Sequence, residues 1–150
     1  MVVGGTDTTS NTVEFALAEM MNKPQVLRKA QPEIETVVGK DNIVEELHIH
    51  KLPYLYAFDP ERFLKESKWD CCGNDFNYFP FGSRRRICAG TAMAERMFMF
   101  SLASLVHSFD WKLPEGEKLD LEEKFGIMLK KKVPLVAIPT PRLSDLALYE

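Results

Sequence analysis

The chain has 150 residues, 45% of them hydrophobic and 27% charged, with a formal net charge of −3. This composition predicts one globular domain with a sizeable core, and it excludes a disordered chain and a general affinity for nucleic acid. Three cysteines favour a reducing compartment over a disulfide framework, and we expect neither a membrane-spanning helix nor a signal peptide.

The first predicted element is a helix whose starting point depends on how residues 6–12 are interpreted. These seven residues are poor formers of a helix interior, whereas residues 13–21 are good ones. Local rules place the helix start near Asn11, whose side chain can cap the helix while the Glu14 side chain reaches back to the Asn11 backbone N–H. On that interpretation the polar residues before Asn11 merely precede the helix.

A second helix is predicted at residues 25–38. Its apolar positions recur along one face at helical spacing, at Val26, Leu27, Ala30, Ile34, Val37 and Val38. Pro24 fits the first turn of a helix, and Gly39 is a good C-terminal stop. Pro32 interrupts the pattern, so it kinks the helix or costs about 3 kcal/mol.

Histidines and paired cysteines do not form a recognisable metal motif. His48 and His50 lie in a polar connector without a partner at metal-ligand spacing, so we expect them to face solvent. The adjacent Cys71 and Cys72, even together with Cys88, would need a fourth ligand to hold zinc. A zinc site is therefore disfavoured.

Residues 79–90 join an aromatic, turn-rich segment to a long helical pattern, and they read Phe-Pro-Phe-Gly-Ser-Arg-Arg-Arg-Ile-Cys-Ala-Gly. Three cations, Arg84, Arg85 and Arg86, precede Cys88. A helix N-terminus and nearby guanidinium groups favour a thiolate, which suits a metal or a haem iron. A single cysteine considered alone favours a plainer interpretation, a half-buried structural thiol beside a solvated turn.

Residues 88–109 form a helical pattern that is apolar on most sides, so we predict a methionine-rich core helix. Residues 110–113 are predicted to form a short strand followed by a turn. Residues 133–138 are predicted to form a strand near a sheet edge, because Pro134 and Pro139 bound it. The chain is therefore expected to be mainly α with a few short β-strands.

The stretch at residues 79–90 resembles the cysteine-ligand loop of the cytochrome P450 haem-thiolate monooxygenases, Phe-x-x-Gly-x-Arg-x-Cys-x-Gly. The positions that match this pattern are Phe81, Arg86, Cys88 and Gly90. Arg84 stands where the family has its inner glycine, in a sharp bulge where a β-carbon is strained by roughly 1–2 kcal/mol. The resemblance to plant membrane-bound members covers almost all of the chain. It implies a single partial domain, residues 1–150, that forms the C-terminal part of the P450 fold.

The resemblance implies a haem b cofactor with Cys88 as the axial ligand of its iron. Phe81 is then expected to shield the sulfur, Arg86 to neutralise a haem propionate, and Gly90 to allow close backbone approach. A thiolate ligand favours cleavage of the oxygen–oxygen bond. Residues 79–90 are thus the expected haem-ligand loop, residues 88–109 its proximal supporting helix, and residues 110–140 the C-terminal β segments.

The reaction that the resemblance implies is insertion of one oxygen atom from O2 into a small apolar organic substrate. Electrons are expected from NADPH through the partner NADPH–cytochrome P450 reductase. The family location is the cytosolic face of the endoplasmic reticulum membrane, although this chain carries no anchor and by itself would be cytoplasmic. The basic runs at residues 84–86 and 130–132 are interpreted as solvated faces or propionate contacts, not as nucleic-acid surfaces.

Residues 4–9, Gly-Gly-Thr-Asp-Thr-Thr, resemble the oxygen-activation motif of the family, which implies a helix over residues 1–22. Asp7 would relay protons inward, and the Thr8 hydroxyl would hold oxygen and its water. The substrate-pocket candidates are Gly4, Gly5, Phe125, Ile127 and Met128. The segment around residues 125–129 fits equally well a β-turn that packs apolar residues on the sheet.

An internal deletion is predicted near Ala57/Phe58. Residues 52–57 resemble the entry to the family's Glu-x-x-Arg helix, whereas residues 58–63 resemble its later Pro-Glu-Arg-Phe signature. The segment between them is expected to be absent, so Arg62 loses the buried partners it has in the family, and either it turns outward or the region around it is loosely packed.

A second hypothesis belongs to a different class. The resemblance implies that the chain starts inside the oxygen-activation helix, lacks the Glu-x-x-Arg segment and carries Arg84 at a glycine position. These features favour a truncated, catalytically inactive fragment or an interaction module of the same family.

Overall fold

The computed structural model describes residues 2–57, 81–126 and 128–149. The helices are α1 (Val2–Asn22), α2 (Pro24–Val38), α3 (Pro53–Ala57) and α4 (Thr91–Ser108). The strands are β1 (Phe109–Lys112), β2 (Glu123–Lys124), β3 (Lys130–Lys131) and β4 (Ile138–Pro141), and 3-10 turns lie at Glu46–Lys51, Arg84–Arg86 and Leu146–Tyr149. The predicted fold class, mainly α with a few short strands, is confirmed. Predictions for Arg62, Cys71, Cys72 and Ile127 lie outside the described residues.

Helix α1 begins at Val2, so the helix start that local rules placed near Asn11 is wrong. Hydroxyl groups in its first half donate back to carbonyl oxygens one turn earlier. Thr9 Oγ1 donates to Gly5 O at 3.1 Å, and Thr12 Oγ1 donates to Thr8 O at 2.8 Å. These bonds occupy the hydroxyl groups within the helix, and the packing of α1 against α4 overrides the poor local helix propensity.

Asn11 and Glu14 do not cap α1 but hold the C-terminal part of the chain against it. Asn11 Nδ2 donates to Leu129 O at 3.5 Å, and the Leu135 N–H donates to Glu14 Oε1 at 2.7 Å. The capping pair predicted from local sequence is therefore a tertiary clamp.

Helix α2 confirms the second predicted helix and continues through Pro32. It ends at Gly39, whose φ of 90° is accessible to glycine without a β-carbon clash. The carboxylate of Glu33 accepts N–H bonds from Tyr54 at 2.8 Å and Leu55 at 2.9 Å, and so caps the start of α3. Four residues of α2 are buried at helical spacing, Val26, Ala30, Ile34 and Val38.

The core lies where α1, α2, α3 and α4 meet. Its buried members include Met20, Ile34, Leu55, Leu102 and Val106. Helix α4 was predicted to be buried on most sides, and this is only half correct. One face is buried, but Met93, Met97 and Phe100 are 70%, 48% and 39% exposed. We call these three residues the α4 apolar stripe.

Two antiparallel strand pairs complete the fold. In one, Phe109 of β1 pairs with Pro141 of β4, and Lys112 pairs with Ile138. The predicted strand at residues 133–138 is wrong, because the backbone enters the ladder only at Ile138. In the other, Glu123 of β2 pairs with Lys131 of β3. Each pair is a two-stranded ribbon, so the prolines of β4 sit on a strand with a free edge, where a missing N–H is tolerated.

Two expected absences concern only the described ranges. No helix there combines the length and apolarity that crossing a membrane requires. No group of three or more histidine, cysteine, aspartate or glutamate side chains among those same residues is placed to hold a metal ion. His48 has a structural contact instead, since its Nδ1 accepts the Glu45 N–H at 3.0 Å.

Candidate functional site

The ligand loop folds back on itself immediately before α4. The Cys88 N–H donates to Phe81 O at 2.9 Å, and this bond closes the loop. Inside it, the Ile87 N–H donates to Arg84 O at 3.2 Å and tightens the 3-10 turn of the three arginines. The loop geometry therefore follows from a short set of backbone bonds between residues 81 and 88.

Cys88 is a free, exposed thiol three residues before the first residue of α4. The Gly90 N–H donates to Cys88 Sγ at 3.4 Å, and Thr91 Oγ1 donates to Cys88 O at 2.9 Å. The proximal helix was predicted to begin at Cys88, and it begins instead at Thr91, because Gly90 is the N-cap. Cys88 thus lies in the turn that leads into the helix, with its sulfur accessible.

Gly90 leaves the space beside this sulfur open. A β-carbon added at Gly90 would lie 3.7 Å from Cys88 Sγ, which is an ordinary van der Waals distance. The atoms of this chain alone therefore do not require glycine there. Glycine is needed only if another group approaches the backbone at this point.

Arg84 has a φ of 53°, in the left-handed region that a β-carbon disfavours. Among the described residues it is the one non-glycine with positive φ. Gly82, two residues earlier, has a φ of 73°. The structure thus puts the arginine in the conformation for which the family pattern has glycine, as the sequence comparison predicted.

We expect Arg84→Gly to raise the free energy of unfolding by about 0.5–1 kcal/mol, because relief of left-handed strain exceeds the entropy that glycine adds to the unfolded chain. Arg85→Gly is the matched control, since Arg85 is also exposed but has no positive φ; it should lower stability by about 0.5–1 kcal/mol. Urea unfolding followed by circular dichroism measures both. Equal losses in the two variants would show that Arg84 is not strained.

The three arginines put positive charge into the turn that precedes the cysteine. Arg84, Arg85 and Arg86 are exposed, and no carboxylate within the described parts of the chain pairs with them. An exposed guanidinium group with its donors unused can bind a carboxylate in bidentate geometry. Together with an accessible sulfur, this donor set fits an iron-bearing ligand with acidic side groups.

Asp7 and Thr8, the predicted proton-relay pair, lie in the first half of α1, which packs against α4. Asp7 is half-buried, and Lys130 Nζ lies 3.7 Å from its Oδ2. Thr8 is exposed, and its carbonyl oxygen accepts the Thr12 hydroxyl. Sequence reasoning missed Lys130, because its only signal was a run of lysines that equally fits a solvated face.

The predicted substrate residues lie beside this part of α1. Residues 125, 126, 128 and 129 are brought there by the bond from Asn11 to Leu129 O and by the ion pair of Asp7 with Lys130. Phe125 is 92% exposed and Met128 is half-buried, so the alternative in which Phe125 packs on the sheet is wrong. Gly5 is exposed, and the backbone of Gly4 is helical.

Comparison with protein families gives a match in two stretches. The family described as Cytochrome P450 matches residues 1–58 and residues 56–137. The two stretches together cover more than half of the chain, and they overlap at residues 56–58, at the end of α3.

Curated relatives are plant enzymes. The chain is 37% identical to flavonoid 3',5'-hydroxylase CYP75B138 of Crocosmia x crocosmiiflora over 209 positions, which cover 98% of this chain and 40% of the relative. It is 39% identical to flavonoid 3',5'-hydroxylase 2 of Petunia hybrida over 202 positions, 95% of this chain and 40% of the relative. Cytochrome P450 76C1 of Arabidopsis thaliana is 35% identical, with 97% of this chain and 40% of the relative covered.

The chain spans about 40% of the length of these relatives. Because the first alignment has 209 positions and the chain has 150 residues, at least 59 positions of that relative have no counterpart here. The family match nevertheless extends over both sides of the break and over the loop that carries Cys88. This polypeptide, a segment similar to plant hydroxylases, is therefore a member of the cytochrome P450 family.

Proposed function

We propose that this chain is the haem-binding part of a monooxygenase that inserts one oxygen atom from O2 into a small apolar organic substrate. The observation that carries the proposal is Cys88, whose free sulfur is exposed and accepts the Gly90 N–H at the start of α4. Family membership supports the same chemistry, and the names of the relatives include hydroxylases and a monooxygenase.

The residues of the loop fit a haem b group. Cys88 offers a soft sulfur ligand for iron, and the N–H bond from Gly90 is of the kind that tunes a coordinated thiolate. Arg86 offers an exposed guanidinium group for a propionate, and half-buried Phe81 is the proposed shield of the sulfur. A thiolate-ligated haem, when bound, supplies the activation of O2.

We propose that Asp7 and Thr8 hold and pass protons during the chemistry that this group would supply. Lys130 Nζ lies 3.7 Å from Asp7 Oδ2, and this contact holds the Asp7 side chain in place. The Thr8 hydroxyl is exposed and can exchange a proton with water. These two side chains are the proposed catalytic residues.

The substrate is proposed to lie between α1 and residues 125–129, with Gly4, Gly5, Phe125, Ile127 and Met128 at its boundary. Phe125 supports this assignment, because a large apolar side chain that is 92% exposed has surface left to cover an organic ligand. Since several relatives are named flavonoid hydroxylases, flavonoids are the first compounds to screen.

Electrons are proposed to come from NADPH through NADPH–cytochrome P450 reductase, at the cytosolic face of the endoplasmic reticulum membrane. We also propose that the missing internal segment falls near Ala57/Phe58. The two-stretch family match, which breaks at residues 56–58, supports this position.

The alternative is a catalytically inactive fragment or an interaction module of the same family. Two observations favour it: at least 59 positions of a relative are missing, and the α4 apolar stripe is exposed. An exposed stripe of large apolar side chains is typical of a surface that has lost, or awaits, a covering partner.

The difference spectrum of the reduced, carbon-monoxide-bound chain after haem reconstitution separates these functions. A band characteristic of thiolate ligation is the result expected for the monooxygenase, and turnover assays with a reductase and flavonoids would follow. A histidine-type band, or no stoichiometric haem binding, would overturn the proposal in favour of the inactive fragment. Free haem with an excess of imidazole provides the reference for histidine-type ligation.

A further inference from the structure

Three consecutive lysines differ sharply in their surroundings. Lys130 lies 3.7 Å from Asp7, and Lys132 forms an ion pair with Glu122, whose hydrogen bond raises the pKa of Lys132. Lys131, between them, is only 5% exposed and makes no ion pair with any described carboxylate. The prediction that residues 130–132 are a solvated face is therefore wrong at Lys131, because alternation along β3 turns this residue inward.

Lys131 retains hydrogen-bonding capacity in its buried position. Its ammonium donates to Asp120 O and lies 5.8 Å from the centre of the Phe15 ring. An ammonium has three N–H donors, and burying it without a counter-ion is unfavourable. An anion that reached Lys131 would satisfy both the remaining donors and the charge.

A cavity of about 280 Å³ adjoins this side chain. Its apolar lining consists of Leu113, Pro114, Leu119, Val133, Leu135 and Val136. Neither acidic side chain at the cavity forms an ion pair with Lys131: Glu117 is exposed, and Asp120 Oδ1 accepts the Glu122 N–H at 2.7 Å. Lys118 also lines the cavity, but it is exposed. A mainly apolar cavity with one buried charge is the usual composition of a small-molecule site.

We propose that this cavity binds a small organic carboxylate, with the carboxylate on Lys131 and the apolar body against the leucine and valine side chains. The volume sets the size of the ligand. Since an apolar cavity of about 150 Å³ holds benzene, about 280 Å³ accommodates one aromatic ring with a short acidic side chain. The site uses none of the loop residues around Cys88, so it stands whether or not the chain binds haem.

The test compares 3-phenylpropionate with its neutral amide, 3-phenylpropionamide, on the full 150-residue chain by isothermal titration calorimetry and methyl NMR. We expect the acid to bind at least tenfold more tightly than the amide. Ligand-induced shifts should centre on the methyl groups of Leu119, Val133 and Leu135. Lys131→Met should reduce acid affinity at least tenfold and leave amide affinity unchanged, whereas Lys132→Met, which removes the exposed neighbouring charge, should preserve the preference.

Equal binding of acid and amide to the unmodified chain would overturn the proposal without any variant. Methyl shifts elsewhere in the protein would do the same. If Lys131→Met fails to fold by circular dichroism, Lys131→Arg, which keeps the positive charge, must retain the preference for the acid; loss of the preference in a folded Lys131→Arg chain counts against the site.

Discussion

Replacing Cys88 by alanine is expected to abolish the thiolate-type band of the reduced, carbon-monoxide-bound chain. The reason is that the free cysteine at the start of α4 is the only loop residue between positions 81 and 90 whose side chain carries sulfur. Cys88 is exposed and does not belong to the hydrophobic core. The free energy of unfolding of the variant should therefore lie within about 0.5 kcal/mol of that of the parent chain. The two measurements are the difference spectrum and urea unfolding.

His50→Gln is the control for imidazole ligation. His50 is exposed, so its removal should leave both the fold and the band unchanged. Retention of a thiolate-type band in Cys88→Ala would show that another cysteine binds the iron. A histidine-type band in the parent chain that disappears in His50→Gln would assign the ligand to the histidine, and the proposed role of Cys88 would be rejected.

Leu102→Ala should lower the free energy of unfolding by about 3 kcal/mol, the largest effect we expect on stability. Leu102 is 0% exposed and belongs to the core that joins α4 to the other helices. Truncation removes apolar contact and leaves a cavity that close-packed neighbours fill only in part. Since domains are typically stable by about 5–15 kcal/mol, urea unfolding should show a clear shift of the midpoint.

Met93→Ala on the same helix is the matched control. Met93 is 70% exposed, so its truncation should change stability by about 0.5 kcal/mol or less. Equal losses in the two variants would mean that the α4 apolar stripe is covered in solution. In that case the arrangement of α4 described above, with one buried and one exposed apolar face, would be wrong.

Periodic elements could be predicted from the sequence with little error. The apolar spacing in α2 and its flanking Pro24 and Gly39 define the helix to within one residue. The spacing in α4 predicts the helix, but not which of its two apolar faces is buried. Burial depends on the neighbouring elements, and a helix that is apolar all round carries no local signal for them.

The candidate site, too, could be predicted from the sequence only in part. The order of residues in the loop predicts a cysteine at a helix start, and the positive φ of Arg84 agrees with the glycine position of the family pattern. The ion pair of Asp7 with Lys130 could not be predicted, because 123 positions separate the two residues. Pairing at that separation is decided by the packing of α1 against β3.

Composition, helical periodicity and the loop at residues 79–90 were sufficient to predict a mainly α chain and its family. Tertiary structure alone decided that Glu14 binds Leu135 N, that Lys131 is buried, and that Arg142 contacts both Asp110 at 3.5 Å and Val106 O at 3.1 Å. Local rules act over about one helical turn or one strand step. These contacts join distant segments, so they exist only after the helices have packed and have placed the C-terminal strands beside them.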